Sequence, residues 1–237
     1  MVRVRAAVLF LCLCGLACRT QQDPLPGFPT LILWAWERAE DLRFIDTRSA
    51  GVAFLAATIT IRDGVAVLQP RLQPLLVPAG TKLMAVVRVD SRGQPAKPEP
   101  VAHLITSVVH PGIAAVQIDY DAVSSERGFY RELTRTVRAQ LPREIPLTMT
   151  ALVSWCTSDG WIRDLSVADA VPMYFRMGPE PYLRGVALRN PLCQSSTGLS
   201  TDELLQVPLN HRLFLFHPRP WTREALRTAM AEVNRWQ

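Results

Sequence analysis

Apolar residues recur along this chain in eight short runs, most of them separated by stretches of helical periodicity. Thr30 to Trp36 (TLILWAW) is the first run. Gly51 to Ile61, Lys82 to Val89 and Ile113 to Tyr120 are the second to fourth. Leu147 to Trp155 and Ala170 to Phe175 are the fifth and sixth, Thr197 to Ser200 is a weaker seventh, and Arg212 to Phe216 is the eighth. Their length and β-branched content predict buried strands. Between them, Ala39, Leu42 and Ile45 have helical spacing over Arg38 to Asp46, and Val101 to Val109 reads as a helix. A longer helix runs to about Leu141 on a stripe of Phe129, Leu133, Val137 and Leu141, with Ser124 or Ser125 as its cap. Arg127, Arg131, Arg135 and Arg138 form its solvated side, and Pro142 stops it. Ser200 to Glu203 matches a capping box and predicts a short helix. Thr222 to Trp236 is the closing helix. Asp63-Gly64, between Thr58–Arg62 and Val65–Gln69, predicts a hairpin after the second strand.

Runs that are apolar on both faces, with helical crossovers, predict parallel strands in an α/β fold. Right-handed crossovers can close such a sheet at eight strands. The expected architecture is a compact (β/α)8 TIM-like barrel with short or missing helices. A doubly wound open sheet competes, but no Gly-rich phosphate fingerprint follows any strand.

Composition changes this picture mainly at the N-terminus. Arg3 and Arg5 precede an apolar run from Ala6 to Leu16, and Gly15-Leu16-Ala17 supplies small residues for cleavage. Residues 1–17 therefore read as a secretory signal peptide. Cys18 would follow the cut, where bacterial lipoproteins are acylated, although Gly15 stands where such signals carry Leu. Lipoprotein and simple secretion both stay open. Residues 18–29, Pro-rich toward the end, read as a tether, and 30–237 as one barrel domain. The expected location is exported, periplasmic or envelope-associated, with membrane attachment only through Cys18. Removing Arg3 and Arg5 takes the net charge from +5 to +3. The remaining cations are scattered, which gives no reason to invoke nucleic acid. A monomer is expected. Of five cysteines, Cys156 and Cys193 remain in the domain, 37 positions apart. An exported chain permits a disulfide between them, and two buried thiols are the alternative. No spacing suits a metal and no cofactor motif occurs.

In such a barrel, function gathers where the strands end. Those ends carry Trp36 and Glu37, Arg88 and Asp90, Asp119 and Asp121, Trp155 and Cys156, Arg176, then Asp202 and Glu203, and finally His217. Asp119 and Asp121 share a face, and their mutual repulsion should raise one pKa unless Arg88 compensates. The candidate catalytic carboxylates are Asp119, Asp121, Glu37 and Glu203. Trp36, Arg88, Trp155, Arg176 and Asp202 are candidate substrate contacts, the tryptophans because flat faces suit sugar rings. A purely structural cluster of helix caps and ion pairs is the competing reading.

The stretches AVQIDYDA (115–122), LTMTALVSWC (147–156), AVPMYFRMG (170–178), GLSTDE (198–203) and FHPRPWT (216–222) resemble a bacterial family designated domain of unknown function 3142. The resemblance implies exported proteins, carries no assigned activity, and groups Asp119, Asp121, Trp155, Cys156, Arg176, Asp202 and Glu203 into one site. More distantly, IDYD looks like the acidic signature of chitinase-like glycoside hydrolases. Those enzymes carry a Glu two positions beyond the last Asp, where this chain has Val123. Two functions follow as expectations. One is glycoside-hydrolase-like action on an envelope or extracellular polysaccharide, with Glu37 or Glu203 as acid and Asp121 as partner. The other is a non-catalytic barrel that binds a carbohydrate or envelope partner.

Overall fold

The computed structural model describes residues 23–93, 96–177, 185–204, 206–207 and 209–235. The proposed leader and Cys18 lie outside them. Among these residues eleven strands occur in chain order: β1 (Leu31–Ala35), β2 (Glu40–Asp41), β3 (Ala50–Arg62), β4 (Val65–Pro70), β5 (Leu75–Leu76), β6 (Leu83–Arg92), β7 (Ile113–Asp119), β8 (Leu147–Leu152), β9 (Asp169–Met173), β10 (Ser196–Ser200) and β11 (Arg212–Phe216). Eight of them, β1, β3 and β6 to β11, are joined edge to edge by parallel pairing. The β1–β3 pairing, with Leu31 opposite Ala50, closes the sheet into a barrel. The chain is an α/β barrel of the TIM type.

Helices are few and short, as the length of the chain requires. Among the described residues α1 (Pro98–Thr106) follows β6, α2 (Arg127–Gln140) follows β7, and α3 (Arg223–Asn234) follows β11. Val101, Ala102 and Ile105 of α1 and Tyr130, Leu133 and Val137 of α2 bury against Val87, Val116, Ile118, Leu147 and Met149 on the outer sheet face. Ala229 and Val233 of α3 cover Leu33, Leu213 and Leu215. Thr222 caps α3, its hydroxyl accepting the Ala225 amide at 3.0 Å. The predicted hairpin is present: β4 runs antiparallel to β3, and Asp63 (φ 47°) with Gly64 (φ 81°) makes the turn.

Three local expectations differ from the structure. Arg38 to Asp46 is not a helix. The Arg38 guanidinium donates to the carbonyls of His217, Pro218 and Arg219. The buried Glu40 carboxylate pairs with Arg38 at 2.8 Å and accepts the Trp221 amide at 2.8 Å. The backbone at Glu40 and Asp41 pairs with Leu75 and Leu76 instead. Leu42 and Ile45 still reach the core, from an irregular segment. Ser200 to Glu203 is likewise a turn, because Ser200 lies inside β10 and its hydroxyl donates to Asp202. Neither Ser124 nor Ser125 caps α2. A 3-10 turn (Ser124–Glu126) precedes it, with the Glu126 carboxylate accepting the Val123 amide at 2.9 Å.

The barrel interior explains how the two ends differ. Ile32, Trp34, Ala53, Met84, Val86, Ala115, Val171 and Phe214 fill its middle. Trp34 lies across it, donating its indole N–H to Gln117 at 2.9 Å. A Cβ at Gly198 would stand 3.1 Å from the Trp34 ring and 3.1 Å from the Pro172 carbonyl, so this strand position admits only glycine without rearrangement. The N-terminal end is sealed by the segment read as a tether. From Asp23 onward it is part of the fold: Leu25 is fully buried and Phe28 nearly so, both packed on the interior cluster. Arg212, itself fully buried, ion-pairs with Asp23 at 3.1 Å and donates to the carbonyls of Leu25 and Pro29 at 3.2 Å.

Beside that plug, Asp169 accepts a hydrogen bond from Ser196 at 2.6 Å. Burial pushes its carboxyl up to about 6, against the opposing pull of Ser196 and Arg212. The folded chain therefore holds this proton to higher pH than the unfolded chain. Asp169 favours folding at acid pH, and that contribution is lost as pH rises from about 4 to about 6. Relative to the wild type, Asp169→Asn should gain about 3 kcal/mol over that window, which urea unfolding at graded pH would measure.

A disulfide joins Cys156, in the π-helical turn Trp155–Asp159 after β8, to Cys193, in the 3-10 turn Pro191–Cys193 before β10. It ties the β8–β9 connection to the β9–β10 connection, across β9. Cys156→Ala/Cys193→Ala is expected to cost about 4 kcal/mol by loop closure over this span, read as a lowered denaturation midpoint. No helix among the described residues is long and apolar enough to cross a membrane.

Candidate functional site

The C-terminal mouth is open and is walled by side chains from six of the eight barrel strands or the residues just after them. The cavity has a volume of about 290 Å³. Asp119, Asp121 and Arg88 stand on one side, and Trp36, Phe175, Arg176 and Phe216 on the other. Thr150, Leu152 and Met173 lie between, with the edge of Trp34 below. The alternation of each strand sets this arrangement: Val86, Ala115 and Val171 face the interior, and so do residues two and four positions further on.

Asp119 carries the chemistry most clearly. Its carboxylate accepts a hydrogen bond from Thr150 at 2.7 Å. Burial pushes it up to about 6, with Asp121 adding to the rise and Thr150 and Arg88 opposing it. Asp121 is also raised, by burial first and by Asp90, against Arg88. Arg88 does not close an ion pair on either. Its guanidinium is bound to Asp90 at 2.9 Å, which leaves both carboxylates facing the cavity.

The opposite wall is aromatic. Phe175 and Phe216 stack with planes 8° apart and centroids at 5.9 Å. Trp36 meets Phe216 edge-on at 6.3 Å. Arg71 donates to the Trp36 and Arg38 carbonyls and so holds the segment carrying Trp36. Arg176 lays its guanidinium over Phe216 at 5.5 Å. Its backbone is left-handed (φ 52°), a strained conformation for a side chain of this size. Glu203 accepts its amide at 3.1 and 3.3 Å and steadies it.

The residues proposed from sequence divide into two groups. Trp36, Arg88, Asp119, Asp121 and Arg176 converge on the cavity. Glu37 lies in a separate depression with Thr58, Gln69 and Arg71. Glu203 serves the Arg176 backbone, and Asp202 is exposed and bound to Ser200. Trp155 is buried in the outer core against Trp161, centroids 5.0 Å apart, because the chain turns outward after β8. Cys156 is in the disulfide. His217 is half of a Thr201 contact and stacks on Trp221, with burial lowering its pKa. Thr150, Phe175 and Phe216 went unnoticed as site residues. Each is nonetheless an inward position near the end of one of the eight apolar runs, which is the signal that marks it.

Among the described residues, no group of three or more His, Cys, Asp or Glu side chains is arranged to hold a metal ion. Comparison of the chain with protein-family models, curated proteins and solved structures finds no match.

Proposed function

We propose that the mouth binds a carbohydrate and hydrolyses a glycosidic bond, with Asp119 and Asp121 as its two carboxyl groups. The observation that carries this reading is a carboxyl held near 6 at the floor of an open cavity, opposite a stacked aromatic wall. A group with that pKa keeps a useful fraction of its proton near neutrality and can deliver it to a leaving oxygen. Asp119 is thus the acid, a role the sequence alone suggested for Glu37 or Glu203. Asp121 follows it by two residues, just past the end of β7, and lines the same cavity. Carboxyl pairs of glycosidases work at about 5–10 Å. Phe175, Phe216 and Trp36 offer faces for sugar rings, whose C–H edges pack on aromatic planes.

The resemblance to an exported family supports an envelope or extracellular polysaccharide as the substrate. A non-catalytic carbohydrate-binding barrel is the second reading. It is favoured by one observation: neither Glu37 nor Glu203 adds a third carboxylate to the cavity. A glycan array with a reducing-end assay on the purified protein separates them. Hydrolysis predicts binding together with released reducing ends. Binding with no release supports the second reading, and no binding to any glycan overturns both.

A further inference from the structure

The carboxylate pair has a cavity on each side of it. A second hollow of about 270 Å³ is lined by Arg88, Asp119 and Asp121 together with Ser91, Tyr120 and Glu126. Arg88, Asp119 and Asp121 also line the aromatic cavity, so these three residues form the boundary between the two. Each hollow is slightly below the ~300 Å³ at which ligand pockets usually begin, and the two joined exceed it. Their chemistry differs. The first presents Trp36, Phe175 and Phe216, whereas the second presents hydroxyl and carboxylate groups.

Ser91 and Glu126 supply the second hollow's hydroxyl and carboxylate, and Val123, 59% exposed, stands at its rim. The Tyr120 hydroxyl lies behind this surface, closed to solvent, with its ring packed against Phe129 and Tyr130.

Building on the carbohydrate reading, we infer that the substrate is an oligosaccharide that spans both hollows, with one unit on the aromatic wall and the next among Ser91, Val123 and Glu126. The bond between the two units then lies over Asp119 and Asp121. The second hollow recognises hydroxyl-rich saccharide through Ser91 and Glu126.

The test uses an array of oligosaccharides graded from mono- to hexasaccharides. Wild-type protein should bind the longer members of a series more tightly than the monosaccharide. Ser91→Trp, which fills the second hollow, should reduce the affinity for the longer members to that for the monosaccharide and leave monosaccharide binding unchanged. Val123→Trp, which fills the same hollow from its exposed rim, should weaken the longer members in the same way and leave the monosaccharide unchanged. Thermal unfolding checks that both variants fold, and if Ser91→Trp does not, Val123→Trp decides. Equal affinity for all lengths, or folded variants that match the wild type at every length, would overturn the two-hollow site while leaving the carbohydrate reading intact. No binding to any member overturns that reading and this one together.

Discussion

Asp121→Asn is expected to slow the release of reducing ends by about 10²–10⁴-fold, the usual loss when a positioned acid–base group is removed. The fold should survive. Asp121 stands at an open mouth, and its carboxyl is held above its ordinary pKa by burial and by Asp90. An amide of the same shape removes a charge that this environment disfavours, so thermal unfolding near neutrality should not move downward. The pH–rate profile supplies an independent check. If Asp119 must be protonated and Asp121 ionised, the rate falls as pH rises through about 6, where Asp119 loses its proton, and falls again on the acid side as Asp121 takes one up. Thr150 opposes the rise of the Asp119 pKa by donating to the ionised form. Full activity of Asp121→Asn on a glycan that the wild type hydrolyses would sink the two-carboxylate mechanism.

Arg212→Met should destabilise the barrel by about 3–5 kcal/mol, measured by urea denaturation near neutral pH. The side chain is fully buried, and its five N–H groups are spread over the Asp23 carboxylate and the carbonyls of Leu25, Phe28 and Pro29. Methionine can fill much of the volume but donates nothing. The carbonyls would then be left buried without partners, and Leu25 and Phe28 would lose what holds them over the barrel bottom. Asp23→Asn should cost far less, because that carboxylate is 38% exposed and water can replace part of the lost pairing. Equal losses from the two substitutions would mean that the ion pair itself, and not the carbonyl network, anchors the plug.

These two sites mark where reading the sequence succeeded and where it stopped. Asp119 and Asp121 could be placed at a barrel mouth because period-two alternation and the end of an apolar run are local signals. Trp155 misled the same reasoning. It follows a strand, yet the chain turns outward into the π-helical turn after Leu152, so its ring lies in the outer core beside Trp161. Residues 23–29 misled it differently. Their proline and polar content reads as a linker, yet Leu25 and Phe28 pack on the barrel interior, and Arg212, 189 positions from Asp23, binds the segment there. The Arg38 to Asp46 segment shows a third kind of limit. Leu42 and Ile45 reach the core while Ala39 is exposed, and Glu40 and Arg38 bind partners from the far end of the chain, bonds that outweigh a weak local helical preference.

By itself the sequence determined the eight buried strands, the hairpin at Asp63-Gly64, the two cysteines able to pair, and the acidic pair on one strand face. All of these depend on residues near one another in the chain or on composition. The tertiary structure decided which strand ends share a cavity, that Glu37 and Glu203 stand apart from Asp119, and that Phe175 and Phe216 stack across from it. It also decided that Asp119 holds its proton to about 6, since that depends on burial by residues from several strands. Desolvation and charge proximity are functions of distance in space, and closing the barrel is what sets those distances.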